Sequence, residues 1–128
     1  MKRRINKWIK NSLENYTRVL NDNVLQEKIQ EIAIKSIAAF RCDKKMLFCG
    51  NGGSASDAQH IAAELSGRFY NDRPPLYAEA LHVNSSYMTA IANDYGYENT
   101  YVRMVEAAGR KGDILVGMST SGNSSNVV

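Results

Sequence analysis

The sequence contains little cysteine, no long apolar run and no strong excess of either charge. Its two cysteines, Cys42 and Cys49, are too few for a disulfide framework, and we expect both to be reduced and structural. No apolar run approaches the roughly 18 residues that a membrane span needs. The Lys/Arg-rich start also lacks the apolar stretch and the cleavage site of a signal peptide. These absences predict a cytoplasmic protein with no membrane partner.

The charge balance and the length narrow the class of protein further. A formal net charge of +3 suits an anionic small molecule but is too small to indicate a nucleic-acid partner. With 128 residues, 44% of them hydrophobic and 23% charged, the composition is typical of one globular domain. We therefore predict a single domain over residues 1–128, with helices in 1–41 and a sheet with anion-binding loops in 45–128.

Two amphipathic patterns open the chain. Apolar residues repeat at helical spacing over residues 3–20 and again over 23–40, and a turn-forming segment at 21–23 joins them. This pattern predicts an N-terminal helical hairpin. Because its two apolar faces are large for so small a core, we expect part of this surface to contact other subunits.

A glycine-rich stretch, residues 49–54 (the glycine loop), follows the first predicted strand at 46–49 and opens a helical pattern that stops at Gly67. Glycines let the backbone approach a ligand, and the N–H groups of a helix N-terminus favour an anion. The Walker lysine is missing, and no acidic residue of a dinucleotide site is clearly placed. A small phosphate is therefore favoured over a nucleotide; the alternative is a tight turn without a ligand.

A second loop, residues 119–126 (the hydroxyl loop), repeats the arrangement with serine and threonine side chains after a predicted strand at 113–118. Further strand and helix patterns lie between the loops: a strand at 77–83, a short helix at 87–91, a loop at 93–97 and a helix at 98–108. Strands that alternate with helices predict a parallel α/β sheet. Two such loops at neighbouring strand ends would line one ligand-binding crevice.

His60 and Glu64 are candidates for chemistry on the helix after the glycine loop. Their spacing of four residues places them on one face. They could form an ordinary salt-bridge ladder, supply a general base that moves a proton between adjacent carbons of a sugar phosphate, or provide two of the three or four ligands of a zinc site. The spacing leaves these alternatives open. The tyrosines at 87, 95 and 97 are interpreted as packing and turn residues.

Several motifs together resemble the phosphoheptose isomerase family, which has the sugar isomerase (SIS) fold. The matching segments are 49–54, 57–68, 92–96, 105–107, 112–115 and 117–124. The resemblance implies a flavodoxin-like fold with a five-stranded parallel sheet between helices. It also implies conversion of D-sedoheptulose 7-phosphate into D-glycero-D-manno-heptose 7-phosphate, the first step towards the heptose of bacterial surface polysaccharides.

The same resemblance implies roles for individual residues. His60 and Glu64 match two zinc ligands, and Glu64 also matches the proposed base of an enediol mechanism. The family is expected to form a homotetramer with active sites at subunit interfaces, and the hydroxyl loop is expected to hold the substrate phosphate. The residues that match substrate-binding positions are Asn51, Gly52, Gly53, Asn93, Asp94, Ser119, Thr120, Ser121 and Ser124.

Part of the family pattern has no counterpart in this sequence. In the family, a glutamine and a histidine from a later helix complete the metal site, and that histidine acts as the acid-base partner. We therefore expect residues 1–128 alone to be nearly inactive and the native gene product to continue past Val128. The alternatives are a non-catalytic SIS protein that binds a replication initiator, a phosphosugar-sensing domain, or an isomerase of pentose or hexose phosphates. Glu64 argues against the first, and the lack of an N-terminal helix-turn-helix against the second.

Overall fold

The structure, a computed structural model, describes all residues from 1 to 128. Its elements are α1 (Lys2–Leu20), α2 (Asn23–Arg41), β1 (Met46–Gly50), α3 (Gly53–Ser66), β2 (Ala78–Ala80), α4 (Ser85–Tyr95), a 3₁₀ turn (Tyr97–Asn99), α5 (Thr100–Ala108) and β3 (Ile114–Met118). The chain divides into two compact units, Met1–Ile37 and Ala38–Val128. None of the helices combines the length and the apolar character that crossing a bilayer would require.

The first unit consists of α1 and most of α2, as the amphipathic patterns predict. Asp22 begins α2 by accepting a hydrogen bond from the backbone N–H of Leu25 at 2.9 Å, and Gln26 Nε2 donates to the carbonyl of Leu20 at 2.6 Å. No residue of α1 is buried, and the side chain of Trp8 is 64% exposed. The apolar stripes of both helices thus lie on the surface of this unit.

The second unit is built on a three-stranded parallel sheet in the order β2-β1-β3. The central strand β1 is buried along its whole length. Met46 pairs with Ala78 of β2 and with Ile114 of β3, and the β1–β3 pairing continues to Gly50 and Met118. This arrangement confirms the prediction of a parallel α/β sheet.

Helices cover both faces of the sheet because successive side chains of β1 point to opposite sides. Met46 and Phe48 pack on one side with Ala58 and Ala62 of α3. Leu47 and Cys49 pack on the other side with Leu81, Tyr101 and side chains of α4 and α5. Both cysteines are free, as expected. The small residues on α3 bring that helix close to the sheet.

Two elements differ from their predicted bounds. Strand β2 is limited to Ala78–Ala80, because the chain turns where Val83 N–H bonds to the carbonyl of Ala80. Helix α4 continues to Tyr95, so the predicted loop at 93–97 is wrong for its first half; the helix ends where Gly96 takes φ 88°. Strand β3 is only partly buried, and Leu115 is 50% exposed.

A partly buried ion pair fixes the amino ends of β1 and β3. Lys45 Nζ lies 2.5 Å from Asp113 Oδ2, and Asp113 also accepts hydrogen bonds from the backbone N–H groups of Lys45 and Arg110. The hydrogen bond from the Lys45 side chain, with these N–H groups, lowers the pKa of Asp113 to about 2. This pair fixes the register of β1 and β3, so that the carboxyl ends of the two strands lie side by side.

Candidate functional site

The glycine loop connects the carboxyl end of β1 to the first turn of α3. Gly52 has φ 55° and ψ −121°, a conformation that side-chain-bearing residues rarely adopt. A Cβ on Gly50 would lie 2.9 Å from the Met118 carbonyl oxygen and 2.9 Å from Ser54 Cβ. The N–H groups of Gly52 and Gly53 donate to no backbone acceptor. They are therefore available to an anion at the helix N-terminus.

The hydroxyl loop leaves the carboxyl end of β3 next to the glycine loop. Ser119 Oγ lies 3.0 Å from Ser124 Oγ and 3.4 Å from Ser121 Oγ, and it accepts a hydrogen bond from Gly122 N–H at 3.1 Å. Thr120 is exposed in the same loop. Serine hydroxyls can both donate and accept, so this cluster can reorient its protons towards a phosphate.

The two loops are joined by a reciprocal pair of side-chain amides. Asn51 Nδ2 donates to Asn126 Oδ1 at 2.7 Å, and Asn126 Nδ2 donates to Asn51 Oδ1 at 3.0 Å. Gly50 and Met118, the last residues of β1 and β3, are partners in the sheet. The predicted juxtaposition of the loops at one edge of the sheet is thus confirmed.

Two tyrosines support the glycine loop from the other side. Tyr97 OH donates to Asn51 Oδ1 at 3.0 Å, and Tyr101 OH donates to the carbonyl of Gly50 at 2.5 Å. Burial raises the pKa of Tyr101, so its hydroxyl stays protonated and remains a donor. Tyr97 begins the 3₁₀ turn, in line with its interpretation as a turn residue, but its ring is 51% exposed and its hydroxyl holds Asn51.

His60 and Glu64 lie on the C-terminal half of α3, away from the loops. His60 Nε2 is 3.5 Å from Glu64 Oε1, with 75% of the His60 side chain and 34% of the Glu64 side chain exposed. Both border an open groove of about 520 Å³. The other residues that line this groove are Ile61, Leu65, Phe69, Tyr70, Asn71 and Arg73.

Arg73 caps the end of α3 that carries Glu64. Its Nη2 donates to the carbonyl of Glu64 at 3.0 Å, and its Nη1 donates to the carbonyl of Leu65 at 2.9 Å. A helix leaves its last carbonyls without partners, and the guanidinium fork satisfies two of them. The sequence pattern gave no signal for this role, because residues 71–75 read only as a turn.

The structure does not bring every predicted site residue to the loops. Glu64 follows Gly53 by 11 residues of α3, which is about 16 Å along the helix axis. Asn93 and Asp94 are exposed in the last turn of α4, where Asn93 Nδ2 donates to Asp94 Oδ1 at 2.8 Å. Neither makes a hydrogen bond to the loops.

The donors on α3 suit zinc in chemistry but not in number. An imidazole nitrogen and a carboxylate oxygen are both common zinc ligands, and structural or catalytic sites use three or four protein ligands. No group of three or more His, Cys, Asp or Glu side chains in the structure could hold a metal ion. His60 and Glu64 therefore form at most part of a metal site.

Comparison with known proteins identifies relatives of this chain. The chain is 54% identical over 112 residues to the phosphoheptose isomerase of Mycobacterium tuberculosis, an alignment that covers 88% of this chain and 57% of that protein. It is 51% identical over 127 residues to the phosphoheptose isomerase of Clostridium acetobutylicum, which covers 99% of this chain and 65% of that protein. The chain thus spans less than two thirds of the length of these relatives.

Solved structures match the fold as well. A phosphoheptose isomerase from Neisseria gonorrhoeae superposes with a TM-score of 0.87 at 40% identity, covering 98% of this chain and 64% of that one. One from Francisella tularensis gives a TM-score of 0.90 at 34% identity, covering 97% and 64% respectively. The family model for the SIS domain matches residues 7–128. This chain belongs to the SIS domain family.

Proposed function

We propose that this chain acts in an aldose-ketose isomerase that converts D-sedoheptulose 7-phosphate into D-glycero-D-manno-heptose 7-phosphate. The observation that carries the proposal is the junction of two anion-binding loops through Asn51 and Asn126 at one sheet edge. The names of the relatives supply the substrate class. The reaction would serve heptose synthesis for bacterial surface polysaccharides in the cytoplasm, with no nucleic-acid or membrane partner.

The substrate phosphate would bind at the hydroxyl loop. Hydroxyl groups at this loop can donate up to four hydrogen bonds, and hydrogen bonds to a charged acceptor contribute about 1.5–3 kcal/mol each. The N–H groups of Gly52 and Gly53 would take the sugar hydroxyls or share the phosphate, together with Asn93 and Asp94. The residues proposed to supply the hydroxyl groups are Ser119, Thr120, Ser121 and Ser124.

Glu64 would act as the general base. Its carboxylate would take a proton from C1 of the ketose, giving an enediolate, and would return it to C2 after the hydroxyl proton has moved from O1 to O2, which gives the aldose. The half-buried carboxylate is the only one in that groove.

Zinc, one ion per subunit, is the proposed cofactor. His60 would supply one ligand, and Glu64 would supply a second only in the alternative to its role as the base, because the two roles compete for one carboxylate; the remaining ligands would come from outside residues 1–128. A bound zinc ion would polarise the substrate carbonyl. The metal content of the full-length protein and of its His60→Ala and Glu64→Gln variants tests this assignment. Loss of zinc in both variants would show that Glu64 is a ligand. Loss of zinc only in His60→Ala would show that Glu64 is not a ligand and acts as the base.

The separation of Glu64 from the loops supports a site shared between copies of the chain. We expect a homotetramer in which Glu64 of one copy faces the loops of another, and the exposed apolar stripes of α1 and α2 offer a surface for such assembly. Mixing the Glu64→Gln and Ser121→Ala variants tests this. At substrate concentrations well below the KM of Ser121→Ala, sites shared between copies regain activity in mixed oligomers, whereas sites within one copy do not.

The proposed activity is tested directly by incubating the full-length protein with sedoheptulose 7-phosphate and measuring the aldose product. Conversion of this substrate in preference to pentose and hexose phosphates supports the proposal. A folded protein that binds a bacterial replication initiator but converts none of these substrates would instead be a non-catalytic SIS protein.

A further inference from the structure

We propose that Asn126 is a positioning residue that locks the glycine loop against the hydroxyl loop and thereby sets the affinity of the site for phosphate. The inference rests on the proposed function, because it concerns the same phosphate. Asn126 lies after the serine cluster, and neither the motifs nor the spacing of the sequence assign it a role.

The geometry of Asn126 is that of a clamp between two segments. Its side chain is 95% buried, since its exposed fraction is 5%. Both ends of its amide bond to Asn51, 75 positions earlier in the chain, and its Nδ2 also lies 3.5 Å from Thr100 Oγ1. Two hydrogen bonds between the same pair of planar groups fix both distance and orientation, which one bond could not do.

The clamp also decides how Asn51 can act. Asn51 Oδ1 accepts from both Asn126 Nδ2 and Tyr97 OH, so its two lone pairs are occupied. The side chain of Asn51 therefore holds the glycine loop in place. The groups offered to a ligand are the backbone N–H groups of the two residues that follow it. Asn126 thus acts on the phosphate through the placement of Gly52 and Gly53.

Loss of the clamp has a defined consequence. Removing the Asn126 amide leaves the Asn51 Nδ2 group without its partner and frees the glycine loop to move away from the serine cluster. The N–H groups and the hydroxyls then no longer converge on one anion. The free energy needed to bring them together is subtracted from the free energy of phosphate binding. We expect this cost to appear as weaker phosphate binding.

The probe for this inference is inorganic phosphate, titrated into the full-length protein and followed by NMR. Asn126→Ala should raise the Kd for phosphate by about 10-fold, and Tyr97→Phe, which removes one hydrogen bond from a half-exposed ring, by about 2- to 3-fold. Ser125→Ala is the matched control, because Ser125 is an exposed neighbour in the same loop, and its Kd should stay unchanged. Ser121→Ala reports on the phosphate site itself.

A second readout separates positioning from simple destabilisation. In the full-length protein, Asn126→Ala should raise KM for sedoheptulose 7-phosphate and leave kcat within about 3-fold, whereas a smaller folded fraction would lower kcat at unchanged KM. Tyr97→Phe should show the same pattern more weakly and keeps the inference testable if Asn126→Ala does not fold.

The outcomes distinguish this inference from the proposed function. If Ser121→Ala weakens phosphate binding but Asn126→Ala and Tyr97→Phe do not, the inference about Asn126 is refuted. The proposed phosphate site is then still supported. If the wild-type protein shows no saturable phosphate binding, or binding that Ser121→Ala does not affect, the proposed function fails. The inference about Asn126 then fails as well. A graded loss in Asn126→Ala and Tyr97→Phe, with Ser125→Ala unchanged, supports both.

Discussion

The two ends of α3 are held in different ways and suit different chemistry. At the N-terminal end, β1, β3 and the reciprocal amides of Asn51 and Asn126 fix the backbone, and the N–H groups of Gly52 and Gly53 have no backbone acceptor. At the C-terminal end, Arg73 caps the last carbonyls, and the ionisable pair of His60 and Glu64 borders an open groove. The first end is suited to binding an anion, and the second to moving a proton.

A single helix can therefore carry affinity at one end and reactivity at the other. The N-terminal end offers backbone groups whose direction is set by the fold, so binding depends on how the loops are positioned. The C-terminal end offers side chains, so the chemistry depends on single functional groups. Substitutions at the N-terminal end should therefore change KM, and substitutions at the C-terminal end should change kcat.

The largest effect is expected at the reactive end. Glu64→Gln should lower kcat of the full-length protein by about 10²- to 10⁴-fold with little change in KM, because an amide cannot accept the proton. Steady-state kinetics with sedoheptulose 7-phosphate measure both constants. Glu106→Gln, an exposed glutamate on α5, is the control and should behave like the wild type. A Glu64→Gln variant with normal kcat would remove the distinction between the two ends.

The binding end should show the opposite split. Ser121→Ala should raise KM by about 10- to 100-fold with kcat nearly unchanged, because one hydrogen bond to a charged phosphate is lost. The same kinetics measure it, with Ser125→Ala beside it as the control. If kcat falls and KM stays constant, the hydroxyl loop contributes to the chemistry and the two ends are not separate.

A smaller effect is expected for the cap on the reactive end. Arg73→Met should lower kcat by about 10-fold and lower the melting temperature, because the carbonyls of Glu64 and Leu65 lose their charged donor. Arg73→Lys keeps the charge and should restore part of both. A variant that loses stability but keeps the wild-type kcat would show that the cap stabilises the helix without positioning Glu64.

The smallest effect is expected at the opposite edge of the sheet, far from either function. The depressed pKa of Asp113, about 2 in the folded state, means that its stabilising contribution is present above its ordinary value of 3.8 and is lost as pH falls through about 2. Asp113→Asn should therefore lower the melting temperature modestly at pH 7, and the difference from the wild type should shrink between pH 4 and 2. Thermal unfolding at several pH values measures this. A difference that is independent of pH would mean that the ion pair does not titrate as described.

Features that depend on local sequence could be predicted, and those that depend on distant contacts could not. The apolar run at 46–49 and the glycines after it predict a buried strand and a loop, because strand burial and glycine conformations are local properties. The helical patterns of α1 and α2 were predictable for the same reason. The pairing of Asn51 with Asn126 spans 75 positions, and no periodicity encodes it.

The misplaced elements have physical causes of the same kind. The extra turn of α4 through Asn93 and Asp94 opposes the low helix propensity of both residues, and the helix continues until Gly96 takes a positive φ. The functions of Tyr97 and Arg73 depend on where one hydroxyl and one guanidinium reach in three dimensions. The sequence patterns identify their segments only as turns. The assignments of His60, Glu64 and zinc stay predictions.

The central claim is that one phosphosugar, held at the two loops, loses a proton from C1 to Glu64. Proton NMR of sedoheptulose 7-phosphate in D₂O tests it most directly, because a proton taken by the base exchanges with solvent. The full-length protein should exchange one C1 proton, and Glu64→Gln should abolish this exchange while inorganic phosphate still binds. Exchange at the wild-type rate in Glu64→Gln would contradict it.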